Sequence, residues 1–322
     1  MKSYVAKRLL QLIPILLCIT LLCFALMYAA GGDAVTIMLE NQGVAVTQEL
    51  IDEQRHELGL DQPFLVQYGN WLVGFLTGDL GESYISGDDV FETFTSKLPA
   101  TILLTFTSLT ATILISVPLG IYTATHQNKA SDYVIRVCCF IGNSLPNFFL
   151  ALLLIYVFAV QLDWFPVLSS TSGKEGIDSI TVSGTVLPTA TLAIAMSSKY
   201  TRQIRTTVLE ELNKPYVQGA RARGVPERTI LFKHVLKNCM VTIVTLLALS
   251  IGDLLGGTAI VETIFQWDGV GKLAVDSITM RDYPMIMAYV VWMAVIYVVV
   301  NLIADIAYHY LDPRVRLGVE DR

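Results

Sequence analysis

Residues 98–128 read LPATILLTFTSLTATILISVPLGIYTATHQN, from Leu98 to Asn128 without one Asp, Glu, Lys or Arg. As a helix, at about 1.5 Å per residue, this stretch exceeds the ~30 Å hydrocarbon layer of a bilayer. A core helix of a soluble protein keeps a polar face, whereas this stretch is uncharged all round. The same pattern recurs on both sides of it. Leu9–Gly32, Val137–Leu162, Ser179–Ser198 and Tyr283–Ala304 carry no charge, and Asn238–Val261 is interrupted only by Asp253. Six spans are therefore expected, in an all-α polytopic membrane protein. The composition of the 322 residues, 53% hydrophobic and 16% charged, agrees with lipid as the main solvent.

Basic residues retained on the cytoplasmic side fix the orientation. With the N-terminus inside, Lys2, Lys7, Arg8, Lys129, Arg136, the basic residues from Lys199 to Lys237, and Arg314, Arg316 and Arg322 are cytoplasmic. Only Arg55, Lys97, Lys174, Lys272 and Arg281 lie outside. Both termini are thus expected inside, in the bacterial cytoplasmic (inner) membrane. The net charge of −6 conceals a basic inner side and an acidic outer one, so it offers no reason to expect a nucleic-acid partner. The N-terminal segment imitates a signal peptide, with Lys2, Lys7 and Arg8 before an apolar run ending in Ala29-Ala30-Gly31-Gly32. That run exceeds a usual signal core and is read as a retained first span.

Residues 31–96 form the main extracytoplasmic insertion. Thr47 suits a helix N-cap and Gly59 a helix stop. After Pro63, the residues Phe64, Tyr68, Trp71, Leu72 and Phe75 recur at helical spacing, giving an aromatic helix that either lies in the membrane interface or packs on the bundle. Pro118 and Pro146, in the second and third spans, are expected to bend them. Cys18, Cys23, Cys138, Cys139 and Cys239 lie in or beside spans at no metal-ligand spacing. His56, His126, His234 and His309 are scattered, and Met280, Met285, Met287 and Met293 read as gap fillers. No metal site or cofactor is expected on this chain, and no catalytic residue.

The cytoplasmic connection 199–237 is basic and patterned. Tyr216-Val217-Gln218-Gly219-Ala220-Arg221-Ala222-Arg223-Gly224 reads as a small-residue helix stopped by glycine. Pro226 and Glu227 then open a second helix bearing Ile230, Leu231, His234 and Val235. This stretch resembles the cytoplasmic loop of binding-protein-dependent ABC importer permeases, in which Glu-Ala-Ala is followed by a glycine three residues on and, nine further, by Ile-x-Leu-Pro. Here Gln218-Gly219-Ala220, Gly224 and His234-Val235-Leu236-Lys237 occupy those positions. The departures resemble the peptide/nickel permease family. Tyr216-Val217, Ala220-Arg221-Ala222-Arg223-Gly224 and His234-Val235-Leu236-Lys237-Asn238 fit its loop. Gly59-Leu60-Asp61-Gln62-Pro63, Leu98-Pro99-Ala100-Thr101, Pro118-Leu119-Gly120, Glu262-Thr263-Ile264-Phe265, Gly269-Val270-Gly271, Asp282-Tyr283-Pro284 and Leu311-Asp312-Pro313-Arg314 follow in its order.

The resemblance implies an ABC importer type I permease fold, with a core five-helix unit over 94–310 and a coupling loop at 199–237. It implies as partners a second homologous permease, two ABC ATPase subunits and an extracytoplasmic substrate-binding protein. Gly219, Ala220 and Ala222 would allow close approach to an ATPase, and Gly224 a sharp exit. Arg221, Arg223 and Arg228 would pair with acidic groups there or face lipid headgroups. Nucleotide chemistry falls to the partners, because neither Gly-Lys pair, Gly173-Lys174 or Gly271-Lys272, has the rest of a phosphate-cradling loop. For the translocation path or gate, the candidates are Asp253, Gly256, Gly257 and Glu262. Asp253 is read as facing cargo or as holding a structural hydrogen bond, and Glu262 as an outer gate or an interfacial residue. Asn143-Ser144-Leu145-Pro146-Asn147-Phe148, Ile251–Thr258 and Arg281-Asp282-Tyr283-Pro284 resemble nickel permeases. That implies nickel, free or chelated, as cargo, with dipeptides or oligopeptides as the alternative. A secondary transporter or channel, or an intramembrane enzyme, is the competing class. The first calls for repeat symmetry or broken helices and the second for a nucleophile with its base.

Overall fold

The computed structural model describes residues 2–29, 34–41, 46–171 and 173–311. Its helices in chain order are α1 (Lys2–Ala29), α2 (Ala34–Asn41), α3 (Gln48–Glu57), α4 (Phe64–Thr77), α5 (Val90–Thr125), α6 (Ala130–Ser144), α7 (Asn147–Leu154), α8 (Val182–Leu212), α9 (Pro215–Ala222), α10 (Glu227–Thr229), α11 (Leu236–Phe265), α12 (Val270–Met280) and α13 (Tyr283–Leu311). The π-helical segment Ile155–Gln161 continues α7, and another, Ile230–Val235, joins α10 to α11. Among the described residues there is no strand, only isolated bridges at Glu82–Asp89 and Ser170–Ile180.

Each of the six apolar stretches falls on helix, as the charge-free runs require. By length and apolarity, Val90–Thr125 and Tyr283–Ile303 each suffice to cross a bilayer, and two bent pairs raise the count to four. The expected six crossings are not reached by that criterion among the described residues. The third stretch in particular is not one straight crossing. It breaks between α6 and α7 with a 105° bend. The Pro146 ring excludes Leu145 from helical geometry, and Leu145 is extended at φ −81°, ψ 130°. Pro118 lies inside the unbroken α5, where it was expected to bend the helix. The motif Leu311-Asp312-Pro313-Arg314 and the glycines at 31 and 32 lie outside the described residues.

The chain forms two compact units. The first comprises Met1–Thr101, Gly173–Ser179 and Asp268–Val298. Thr47 caps α3 as expected, accepting from Leu50 N at 3.4 Å. The aromatic face of α4 packs on the bundle. Phe64 lies against Phe24 and Tyr28 at ring separations of 5.5 and 5.2 Å, Tyr68 and Trp71 lie against Phe24, and Phe75 meets Trp292 at 5.7 Å. The opposite face of α4, with Leu65, Val73 and Leu76, stays apolar and exposed. Two carboxylates pin the loops of this unit. Asp282 accepts from Ser83 Oγ at 2.5 Å and Tyr84 N at 3.2 Å. Asp268 receives Lys97 Nζ at 2.7 and 2.9 Å and Gly176 N at 2.6 Å.

The second unit comprises Ile102–Ser172, Ile180–Trp267 and Val299–Arg322. Here α6 crosses α8 so closely that a Cβ on Gly142 would overlap Ser198 Oγ, which is the reason for glycine there. The two helices are bolted together by Asp132, whose surroundings are fully closed. Arg205 reaches it in a fork, Nε to Oδ1 and Nη2 to Oδ2, both 2.9 Å, and Asn128 N donates to Oδ2 at 3.1 Å. Burial alone would raise the carboxyl pKa, but these donors outweigh it and hold it below its ordinary 3.8.

Because a carboxylate with a depressed pKa stabilises the fold above its unfolded value and ceases to do so as pH falls through the folded one, the Asp132 contribution is constant at neutral pH and vanishes only below pH 3.8. Asp132→Ala, which strands the Arg205 guanidinium, is expected to cost about 3–5 kcal/mol. Thermal unfolding of the detergent-solubilised protein at pH 7 should show that loss as a lower midpoint.

Candidate coupling site

The turn that follows α8 is assembled around one carboxylate. Glu211, in the last turn of α8, is 7% exposed. It accepts from Tyr216 Oη at 2.8 Å and Asn238 Nδ2 at 2.8 Å, and Lys214 Nζ lies 2.5 Å from its other oxygen. Asn238 also donates to Tyr216 Oη at 3.2 Å. The end of α8, the start of α9 and the start of α11 thus meet on a single side chain. Burial pushes the Glu211 carboxyl upward, but Lys214, Asn238 and Tyr216 together hold it below its ordinary 4.5. Burial, with the carboxylate as acceptor, pushes the Tyr216 phenol up to about 12, so it remains the neutral donor that the network needs.

Pro215 occupies the first turn of α9, where its missing N–H costs nothing. The helix is one-sided. Val217 and Ala220, three residues apart, are buried in a cluster with Tyr200, Ile204, Val208, Ile230 and Val235. The other side, Gln218, Gly219, Ala222 and Arg223, is exposed. Gly224 ends the helix at φ +75°, a conformation that costs other residues about 1–2 kcal/mol. Val225 N then returns to Ala220 O at 3.2 Å, and Pro226 caps α10.

These contacts revise several sequence expectations. Ala220 faces its own core, so only Gly219 and Ala222 remain as small residues open to a partner. Arg221 is matched within the loop, with Nε 2.6 Å from Glu227 Oε1 and Nη2 3.2 Å from Oε2. That exposed pair, which links α9 to α10, contributes no more than about 1 kcal/mol. A side chain on Gly224 would meet open space, so the backbone conformation, rather than crowding, demands glycine. Sequence reasoning missed Glu211 and Lys214 and met Asn238 only as part of a motif. The Tyr216–Asn238 pairing within that motif was the available signal.

Of the residues expected in the translocation path, Glu262 is fully buried in α11, and its carbonyl receives Trp267 N at 2.8 Å. One turn earlier, Thr258 Oγ1 is buried without a hydrogen-bond partner among the described residues. Asp253, Gly256 and Gly257 lie on the α11 backbone. Their side-chain surroundings lie outside the described residues.

Residues 116–317 match the family described as binding-protein-dependent transport system inner membrane component, and residues 1–105 match the N-terminal region of the same kind of protein. The oligopeptide transport system permease protein AppB of Bacillus subtilis (strain 168) is 40% identical over 321 residues, covering 98% of this chain and 99% of that protein. The glutathione transport system permease protein GsiC of Escherichia coli (strain K12) is 35% identical over 316 residues, with the same coverage. A solved structure described as inward facing conformations of the MetNI methionine ABC transporter superposes with a TM-score of 0.54 at 17% identity, over 68% of this chain and 96% of that one, a likeness of fold. The chain belongs to the family of binding-protein-dependent transport system inner membrane components. It is a permease subunit of an ABC importer.

The Glu211 node can be tested by substitution. Tyr216→Phe is expected to cost about 0.5–1.5 kcal/mol, and Glu211→Ala more, because it removes the one acceptor shared by Tyr216, Asn238 and Lys214. Thermal unfolding across pH separates them from a general defect. The difference between the native protein and Glu211→Ala should persist at pH 7 and shrink as pH falls below 4.5, where the native carboxyl becomes protonated.

Proposed function

We propose that this chain forms, with a second homologous permease, the pathway through which an ATP-driven importer carries short peptides into the cell. Two ATPase subunits bind on the cytoplasmic side and a substrate-binding protein delivers cargo outside. What supports the assembly is the family and the open face of α9, where Gln218, Gly219, Ala222 and Arg223 are free to seat in an ATPase groove. Closure of the ATPase pair then moves α9, and through Glu211 and Asn238 it moves α8 and α11 together, as levers of alternating access.

Peptide cargo is favoured over nickel by the relatives, which are named for oligopeptides and glutathione. The motifs that resembled nickel permeases therefore do not decide the cargo. Both Asp253, as a cargo-facing carboxylate, and Glu262, as part of an outer gate, belong to the proposed pathway.

Reconstituted with its partners, the importer with Gly224→Val is expected to hydrolyse ATP while moving at least ten-fold less peptide per ATP, since valine resists φ +75° and shifts the exit from α9. Gly224→Asn, which tolerates that conformation, should stay within about two-fold of the native ratio. An unchanged ratio in the valine form would contradict the coupling role of this turn.

A further inference from the structure

The break between α6 and α7 opens a cavity of about 200 Å³ within the second unit, lined by Gly142, Asn143, Asn147, Met196, Lys199 and Leu254 among others. At ~30 Å³ per water it holds about six waters, too few for a peptide but enough for one end of it. Lys199 sits inside α8, 17 residues beyond Val182 and 13 before Leu212, directly after the charge-free run Ser179–Ser198. A cation beside an apolar span is costly unless it faces a protein interior or water, and this one lines the cavity.

Lys199 is half-buried, with its Nζ 5.5 Å from the centre of the buried Tyr200 ring. Asn143 and Asn147, on either side of the helix break at Leu145-Pro146, line the same cavity. Asn147 opens α7, whose N-cap position is Pro146 and supplies no side-chain cap. The side chains that reach this cavity thus bring one positive charge and two amide donors, and the uncapped start of α7 adds a favourable field for an anion. Leu254, next in sequence to Asp253, also lines the cavity, which brings the cavity beside the segment proposed as the pathway.

We infer that the cavity at the α6–α7 break receives the terminal carboxylate of the peptide cargo, with Lys199 as its counter-charge and Asn143 and Asn147 as hydrogen-bond donors. This rests on the peptide reading above. It makes the permease a second filter that acts after the binding protein has released its load, and it gives the Asn143–Phe148 motif a function as lining of that cavity. Lys199 engages other groups in the empty protein and exchanges them for the carboxylate on cargo entry.

The test uses the full reconstituted importer and a tripeptide with its C-terminal amide, both first shown by titration to be held by the binding protein. Because that protein is the same throughout, its own preference cancels when permease variants are compared. Native importer should favour the free carboxylate, Lys199→Gln should reduce that preference at least five-fold, and Lys199→Arg should keep most of it. Size-exclusion chromatography establishes that each variant assembles. A preference unchanged in Lys199→Gln overturns the inference, as does an equal loss of uptake for both peptides, which is the mark of a structural lysine. A native importer that moves neither peptide overturns the peptide reading itself, and it does so before any substitution is made.

Discussion

A buried carboxylate at the foot of a long helix must be fully satisfied or it destabilises everything around it, and Glu211 is satisfied only when three segments of chain converge on it. Tyr216 comes from α9, Asn238 from α11 and Lys214 from the turn between α8 and α9. If that turn swings away, the carboxylate loses its donors in a partly desolvated site, so separating the three segments carries a cost. Asp132 and Arg205 extend the same principle to α6, which is clamped to α8 farther along. The proposed lever would need rigidity of this sort, and here it comes from polar bonds at the ends of the long helices rather than from apolar helix walls, which gain little by packing in lipid.

The other consequence of membrane surroundings is where irregular backbone is tolerated. At Leu145-Pro146 the helix is interrupted, and the exposed peptide groups cannot be left to hydrocarbon. Asn143, Asn147 and Lys199 surround that interruption, and Ser144 Oγ donates to Phe140 O at 2.8 Å. The break and its polar lining lie together, and the amides of Asn143 and Asn147 offer partners to the backbone groups that the break leaves irregular. In the first unit, Asp268 and Asp282 tie loops to helices through Lys97, Gly176, Ser83 and Tyr84, so those acidic residues have a structural part.

Local signals were readable in the sequence. Thr47 capping α3, glycine at 224 ending α9, and the aromatic period of α4 each depend on neighbours within a turn or two, and each is met. The placement of the long helices followed from the missing charges. What was not readable depends on partners far apart in sequence. Asp132 and Arg205 lie 73 residues apart, and Glu211 and Asn238 lie 27 apart. Two prolines also looked alike, yet Pro118 sits in continuous helix and Pro146 at a sharp break. The inward turn of Ala220 escaped for a related reason. A small residue in a short helix suits either a close partner or a tight core, and only the cluster of Val217, Ile230 and Val235 decides between them.

The central claim is that the open face of α9 is the surface on which the ATPase pulls. A photo-crosslinking residue placed in turn at Gln218, Ala222 and Phe232, all exposed on this chain, would read that surface directly in the assembled importer. Adducts with the ATPase at positions 218 and 222, and none at 232, are the predicted result. An importer that still takes up cargo yet yields adducts only at 232, or at none of the three, would contradict the account.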